Sequence, residues 1–330
     1  MKNIIHFFLI LSFYMFATSC EPNNNNIEIL NFSVIHSSNE LARSSSFYCV
    51  LGSKGYVGTG RNTYNTQLKD FWAFDLQNLQ WERKADFSGI SRVKAVAVAC
   101  NGKIYAGLGY SIELGNLQPQ SYLKDFYVYT PDSNSWKRLT DYPNSFTDAC
   151  FAFSCNNKVF ISTGFDGVSF SKQTWMFDPI TNTWTSVGNF SGGPITEAMC
   201  IDNGRIFAGT GFPFNRNDWH EFDTITFKWK KHTSMPDKGR IKSLGFVINE
   251  KMFIAGGRHW GGDGDARQTL KTIFLYEPEN DSWVKAGDLP DYGTENGVSF
   301  SFGNKAFIGF GENDWGAVNN FWQITIDTNN

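Results

Sequence analysis

One short pattern recurs six times along the chain, and it limits the fold more than any other property. An aromatic residue, an apolar residue, a small residue, a variable residue and a glycine appear as YVGTG ending at Gly60, YAGLG at Gly109, FISTG at Gly164, FAGTG at Gly211, FIAGG at Gly257 and FIGFG at Gly311. Successive final glycines lie 49, 55, 47, 46 and 54 residues apart. A period of that length marks stacked supersecondary units, none of which buries its apolar face alone.

Each copy is followed by an aromatic-rich run (DFWAFD, DFYVYT, TWMFDP, DWHEFD, IFLYEP, NFWQIT). In five copies a tryptophan follows, always seven residues beyond an aromatic: Phe74 to Trp81, Tyr129 to Trp136, Phe177 to Trp184, Phe222 to Trp229 and Tyr276 to Trp283. Constant spacing across a polar segment such as DPITNTW is what a tight turn between antiparallel strands demands, because loop length fixes register. A further short apolar strand, such as SFYCVL or KAVAVAC, precedes each glycine motif. Each unit is therefore four strands, and no helical period appears after the leader. With 54 aromatics, 18% charged residues and no Gly-X-Y or heptad period, disorder, collagen and coiled coil are excluded. A balance of 29 basic against 32 acidic residues gives no diffuse positive field for nucleic acid, so none is expected as a partner.

Four-stranded repeats of this length describe an all-β propeller, and over about residues 27–326 the chain resembles the kelch-repeat family. Only the fifth copy has the strict double glycine, Gly256–Gly257; Thr, Leu or Phe intervenes in the others. The expected fold is a six-bladed kelch-type β-propeller over residues 27–330. The sixth copy has no room for its fourth strand, because seven residues beyond Ile324 the chain has already stopped. The strand-like run Ile27 to Ile35 is expected to complete it and so close the ring, removing open sheet edges.

The first 26 residues are of another kind. Lys2 precedes an apolar run from Ile4 to Ala17 that is short for a membrane span and ends in Ala17-Thr18-Ser19 before Cys20. This resembles a bacterial lipoprotein signal, which implies removal of residues 1–19 and lipidation of Cys20. The polar run Glu21 to Asn26 would form a tether. The resemblance implies an exported protein, held in the bacterial envelope by its lipid alone, with the outer membrane as the expected location. A monomer is expected. Cys49, Cys100, Cys150, Cys155 and Cys200 show no metal-ligand spacing and are read as free core thiols; one or two disulfides are the alternative.

In such a ring the loops after the glycine motifs share a face with the loops that open each inner strand. The longest, Tyr110 to Leu123 and Arg258 to Leu270, fall in blades two and five, on opposite sides of the ring. Seventeen residues before each final glycine stand Arg43, Arg92, Thr147, Pro194, Arg240 and Thr294; two positions later stand Ser45, Lys94, Ala149, Thr196, Lys242 and Asn296. Arg92/Lys94 and Arg240/Lys242 thus repeat an Arg-x-Lys pair, with Asp148, Glu197 and Glu295 on the same rim. Convergent cations at a channel mouth suit a carboxylate ligand; the alternative is that they pair with the rim carboxylates or cap blade contacts. Tyr64, Tyr110, Phe165, Trp260 and Trp315, with Arg258 and His259 beside them, are the loop side chains placed to stack on or bind a sugar.

Kelch-like copper radical oxidases need tyrosine and histidine ligands, including an adjacent Tyr-His pair. Here His6 lies in the leader, His36 precedes blade one, His220 takes the strand position of Trp72 and Trp175, His232 follows Trp229, and only His259 lies on a loop after a motif. No copper site, other metal or cofactor is expected. Sialidase-type Asp boxes are absent, and the Gly261–Asp265 loop lacks the oxygen spacing of a calcium loop. The expected function is a membrane-tethered recognition module for a carbohydrate, neutral or acidic, or for a partner protein. The alternative is a cofactor-free mutarotase or epimerase resembling the sialic acid mutarotases, with Glu197 or Glu295 as acid/base.

Overall fold

The computed structural model describes residues 30–115, 121–144, 148–261 and 268–327. The leader, Cys20 and the tether lie outside these residues, as do Thr147 and the loop positions Gly262 to Asp265. Six four-stranded antiparallel sheets follow one another, five of them built in chain order from the channel outward. Blade one comprises Phe47–Leu51, Lys54–Gly58, Phe71–Asp75 and Trp81–Lys84. Blades two to five repeat this order from inner strands Val96–Cys100, Phe151–Cys155, Ala198–Asp202 and Leu244–Ile248. Blade six uses Val298–Phe302, Lys305–Gly309 and Phe321–Ile326, and its fourth strand is Leu30–Val34. Leu30 pairs with Ile326 and Val34 with Trp322, so the ring closes as the sequence requires.

Alternating residues face the two neighbouring blades, so the core divides into six apolar clusters, one at each seam. The five cysteines of the propeller are free.

The glycine motif is explained by what surrounds it. The final glycine donates its backbone N–H to the residue that opens the next blade's inner strand: Gly60 to Arg92 O at 2.8 Å, Gly211 to Arg240 O at 2.8 Å, Gly257 to Thr294 O at 2.8 Å and Gly311 to Arg43 O at 2.7 Å. This closeness, with φ of +90°, leaves Gly109 no room for a side chain; a Cβ there would stand 2.5 Å from the Val93 carbonyl. The preceding residue is left-handed too, and Thr59, Leu108, Thr163, Thr210 and Phe310 adopt this conformation at a cost that Gly256 escapes.

The seven-residue tryptophan spacing creates a latch between blades. Trp136 Nε1 donates to Ala85 O (3.0 Å), while Asn134 Oδ1 accepts from Ala85 N (2.9 Å). Trp184 and Asn182 hold Thr140 in the same way, and Trp283 and Asp281 hold Thr233. In blades one and four the residue two before tryptophan is Leu79 or Phe227, and the indole nitrogens of Trp81 and Trp229 find no partner among the described residues. At the seams facing blades six and three the tryptophan ring therefore contributes packing and no indole hydrogen bond.

Candidate functional site

The inner strands surround an axial cavity of about 460 Å³ whose lining includes Ser45, Lys94, Ala149, Glu197, Lys242 and Asn296. The backbone that opens each inner strand turns sharply, and Ser45, Lys94, Ala149, Lys242 and Asn296 all have left-handed φ of 53–58°. Their N–H groups link the blades around the mouth: Lys94 N to Ser45 O, Ser45 N to Asn296 O, and Asn296 N to Lys242 O. The next link is different, because Lys242 N donates to the Glu197 carboxylate. Glu197 is thereby fixed in the channel wall.

The sequence-derived rim residues separate into two groups. Lys94 Nζ meets Asp148 Oδ2 at 3.3 Å. Lys242 Nζ meets Glu295 Oε1 at 3.2 Å, and Glu295 Oε2 accepts from Arg258 Nε at 2.7 Å. Burial raises the Asp148 carboxyl above its ordinary value, and Lys94 offsets only part of that; one carboxylate oxygen is buried with no hydrogen-bond partner among the described residues. Burial likewise raises Glu197, against the Lys242 N–H and the two lysine charges. Burial opposes the Lys94 charge, but Asp148 and Glu197 outweigh it and raise its pKa.

Arg43, Arg92 and Arg240 correct the expectation of guanidinium groups at the mouth. All three are 0% exposed. Each turns outward into its own blade and donates to the carbonyl of the motif's fourth residue, Thr59, Leu108 or Gly256. Arg43 and Arg92 also grip Asp70 and Asp125 with both terminal nitrogens, and Arg240 is held by Asp237 and Thr272. In blade six the same carbonyl, that of Phe310, takes its bond from Thr294 Oγ1 at 2.6 Å. These side chains therefore satisfy an acceptor that the left-handed motif turns away from the sheet ladder, and they offer a ligand no free edge.

A second ring stands one residue after each final glycine; its Tyr110, Phe165 and Arg258 were among the loop candidates, and its Arg61, Phe212 and Glu312 were missed. Arg61, Tyr110, Phe165, Phe212, Arg258 and Glu312 each bridge the strand-opening backbone of their own blade. The ring is two-sided. Around blades five, six and one, Arg61 meets Glu312 (2.6 Å) and Arg258 meets Asp314 (2.6 Å). Burial works against the Glu312 carboxylate, yet Asn296 and Arg61 hold it below its usual range. Across blades two, three and four runs an aromatic wall: Tyr110, Tyr122, Phe165, Phe170 and Phe212, with neighbouring centroids 5.2, 6.0, 4.7 and 5.8 Å apart.

The remaining candidates do not join this mouth cluster. Tyr64 is 87% exposed on its loop. His259 is buried beside the Gly239 carbonyl. Trp260 is part-exposed, its backbone held by Asn215. Trp315 is exposed and stacks on Tyr292 with centroids 5.3 Å apart.

The KLHDC2/KLHL20/DRC7 Kelch-repeats domain matches residues 21–200, more than half the sequence. The chain belongs to the kelch-repeat family. A Kelch motif also matches residues 246–290. The chain is 25% identical to Kelch-like protein 25 of Xenopus tropicalis over 73% of its own length, but covers only 40% of that longer protein. It is 24% identical to a Kelch domain-containing protein of Vibrio cholerae, over 81% of this chain and 91% of that one. With the N-acetylneuraminate epimerase of Haemophilus influenzae it shares 26% identity over 81% of this chain and 85% of the relative. Its fold matches the structure of YjhT with a TM-score of 0.73 at 20% identity, covering 87% of this chain and 98% of the other.

Proposed function

We propose that this propeller binds an acidic sugar at the channel mouth. The observation that carries the reading is the coexistence, at one opening, of two lysine ammonium groups, two carboxyls of raised proton affinity and an adjoining aromatic wall. Lys94 and Lys242 supply charge for the sugar carboxylate, and the wall supplies apolar faces for its ring. A second reading is favoured by Asp148 and Glu197 themselves. A carboxyl whose proton affinity burial has raised can give a proton to a ring oxygen and take one from the anomeric hydroxyl, which is what anomer exchange needs. Similarity to an N-acetylneuraminate epimerase supports this reading.

Calorimetric titration with N-acetylneuraminate and with neutral hexoses tests both. Saturable heat from the acidic sugar alone, weakened at least tenfold in Lys94→Gln/Lys242→Gln while the melting temperature holds, is the expected result. Silence across the sugars in a folded sample refutes the binding reading and favours a partner protein. Faster anomer exchange by NMR, lost in Glu197→Gln, distinguishes the enzyme from the module. We also propose the lipid anchor on Cys20, a monomeric state and an outer-membrane location in a bacterial envelope. Incorporation of labelled palmitate, abolished in Cys20→Ser, tests the anchor.

A further inference from the structure

We infer that Ser191, His220 and Asp218 form a second, hydrolytic site that cleaves small-acyl esters at the seam of blades three and four. Ser191 lies in the loop that leaves the outer strand Thr183–Asn189, and the other two stand on the third strand of blade four, Arg216–Asp223. Ser191 Oγ is 2.7 Å from His220 Nδ1, and His220 Nε2 is 3.0 Å from Asp218 Oδ2. Arg216 holds both oxygens of Asp218, each at 2.9 Å. The serine is exposed, whereas the imidazole and carboxylate are almost fully buried beneath it.

These contacts fix the proton positions. Burial alone would raise the Asp218 carboxyl, but the bonds from His220 and Arg216 prevail and pull it down to about 2. Asp218 is then a carboxylate that only accepts, so His220 Nε2 carries the hydrogen. In the neutral ring Nδ1 is bare and must accept from the Ser191 hydroxyl. A hydroxyl donating to a base oriented by a buried carboxylate is the arrangement of an activated nucleophile.

The chain contains its own comparison. The sequence Phe87-Ser88-Gly89 enters blade two as Phe190-Ser191-Gly192 enters blade four. Phe87 meets Tyr127 edge-on at 5.0 Å, as Phe190 meets His220 at 5.1 Å. Tyr127 donates to Asp125 as His220 does to Asp218. The frame is therefore structural, and blade four differs in placing there a ring with a second nitrogen, directly under the serine.

In the reaction, Ser191 Oγ attacks the ester carbonyl while its proton passes to His220 Nδ1. The tetrahedral adduct collapses, and the alcohol leaves with that proton. Water, deprotonated by His220, then releases the acid from Ser191, so ester and water become acid and alcohol. The N–H groups of Gly192 and Gly193 come next in the chain and meet no acceptor among the described residues, so they are the donors this reading assigns to the oxyanion.

The test treats the full chain with a fluorophosphonate probe, maps the adduct by peptide mass spectrometry, and follows p-nitrophenyl acetate hydrolysis. The expected adduct is on Ser191 and not Ser88, with labelling and turnover falling about a hundredfold in His220→Tyr. That variant copies blade two, so it keeps the fold. No adduct at Ser191, equal labelling of Ser88, or an unchanged rate in His220→Tyr overturns the inference.

Discussion

Replacing Arg92 by methionine separates a structural cation from a ligand-binding one. Arg92 is wholly buried, donates to Ile90 O (3.0 Å), Leu108 O (3.0 Å) and both oxygens of Asp125 (2.6 and 2.8 Å), and lies over the Phe87 ring at 4.8 Å. Methionine fills part of the volume but leaves Asp125 with the Tyr127 hydroxyl alone and takes the guanidinium donor from two carbonyls. Breaking a buried pair costs 3–5 kcal/mol, and because the Asp125 side chain keeps some solvent contact, about 3 kcal/mol is expected here. With an unfolding entropy near 2.1 cal/mol/K per residue over about 300 residues, that lowers the melting temperature by roughly 5 °C. Tryptophan fluorescence during heating reads the change, and calorimetry with N-acetylneuraminate reads binding. The reasoning predicts lost stability with sugar affinity within twofold of the parent. A melting temperature unchanged within 1 °C, together with lost sugar binding, would refute it.

The latch gives a paired comparison. Trp136→Phe removes the bond to Ala85 and should cost about 1–2 kcal/mol more in urea denaturation than Trp81→Phe, whose nitrogen has no partner among the described residues. The raised carboxyl of Glu197 sets a pH dependence. Its folded form holds protons better than its unfolded form, so its stabilising contribution is complete below the ordinary glutamate value and is lost as pH rises through the raised one. Glu197→Gln should therefore raise the melting temperature at pH 7 relative to the parent and lose that advantage at pH 4; an equal difference at both would contradict the assignment.

The ring and its closure were legible in the sequence because blade architecture is written in spacing: glycine motifs set the inner hairpins, and tryptophans set the outer ones. The site was legible only in part. Lys94, Asp148, Lys242, Glu295 and Arg258 do gather at the mouth, since strand-opening positions share one face. The arginines two residues earlier do not: they turn outward into their own blades ahead of the left-handed turn that Ser45, Lys94 and Lys242 themselves make, and no periodicity records that turn. The aromatic wall joins residues from three blades, and contact between them depends on the ring's curvature. Ser191 and His220 are likewise brought together across a seam, and His220 alone looked like a substituted tryptophan.

Leu30 and Ile326 stand opposite each other on paired strands although nearly three hundred residues separate them. During synthesis the first strand is made early and must wait, unpaired, until the last has emerged. The five intervening blades can assemble as neighbours meet, but joining the two ends brings the largest loss of chain freedom and comes last. Closure thus acts as a proofreading step for the last strand: a product that stops before Phe321 leaves two waiting edges instead of one finished blade, and those edges present it to proteases or to a second truncated copy.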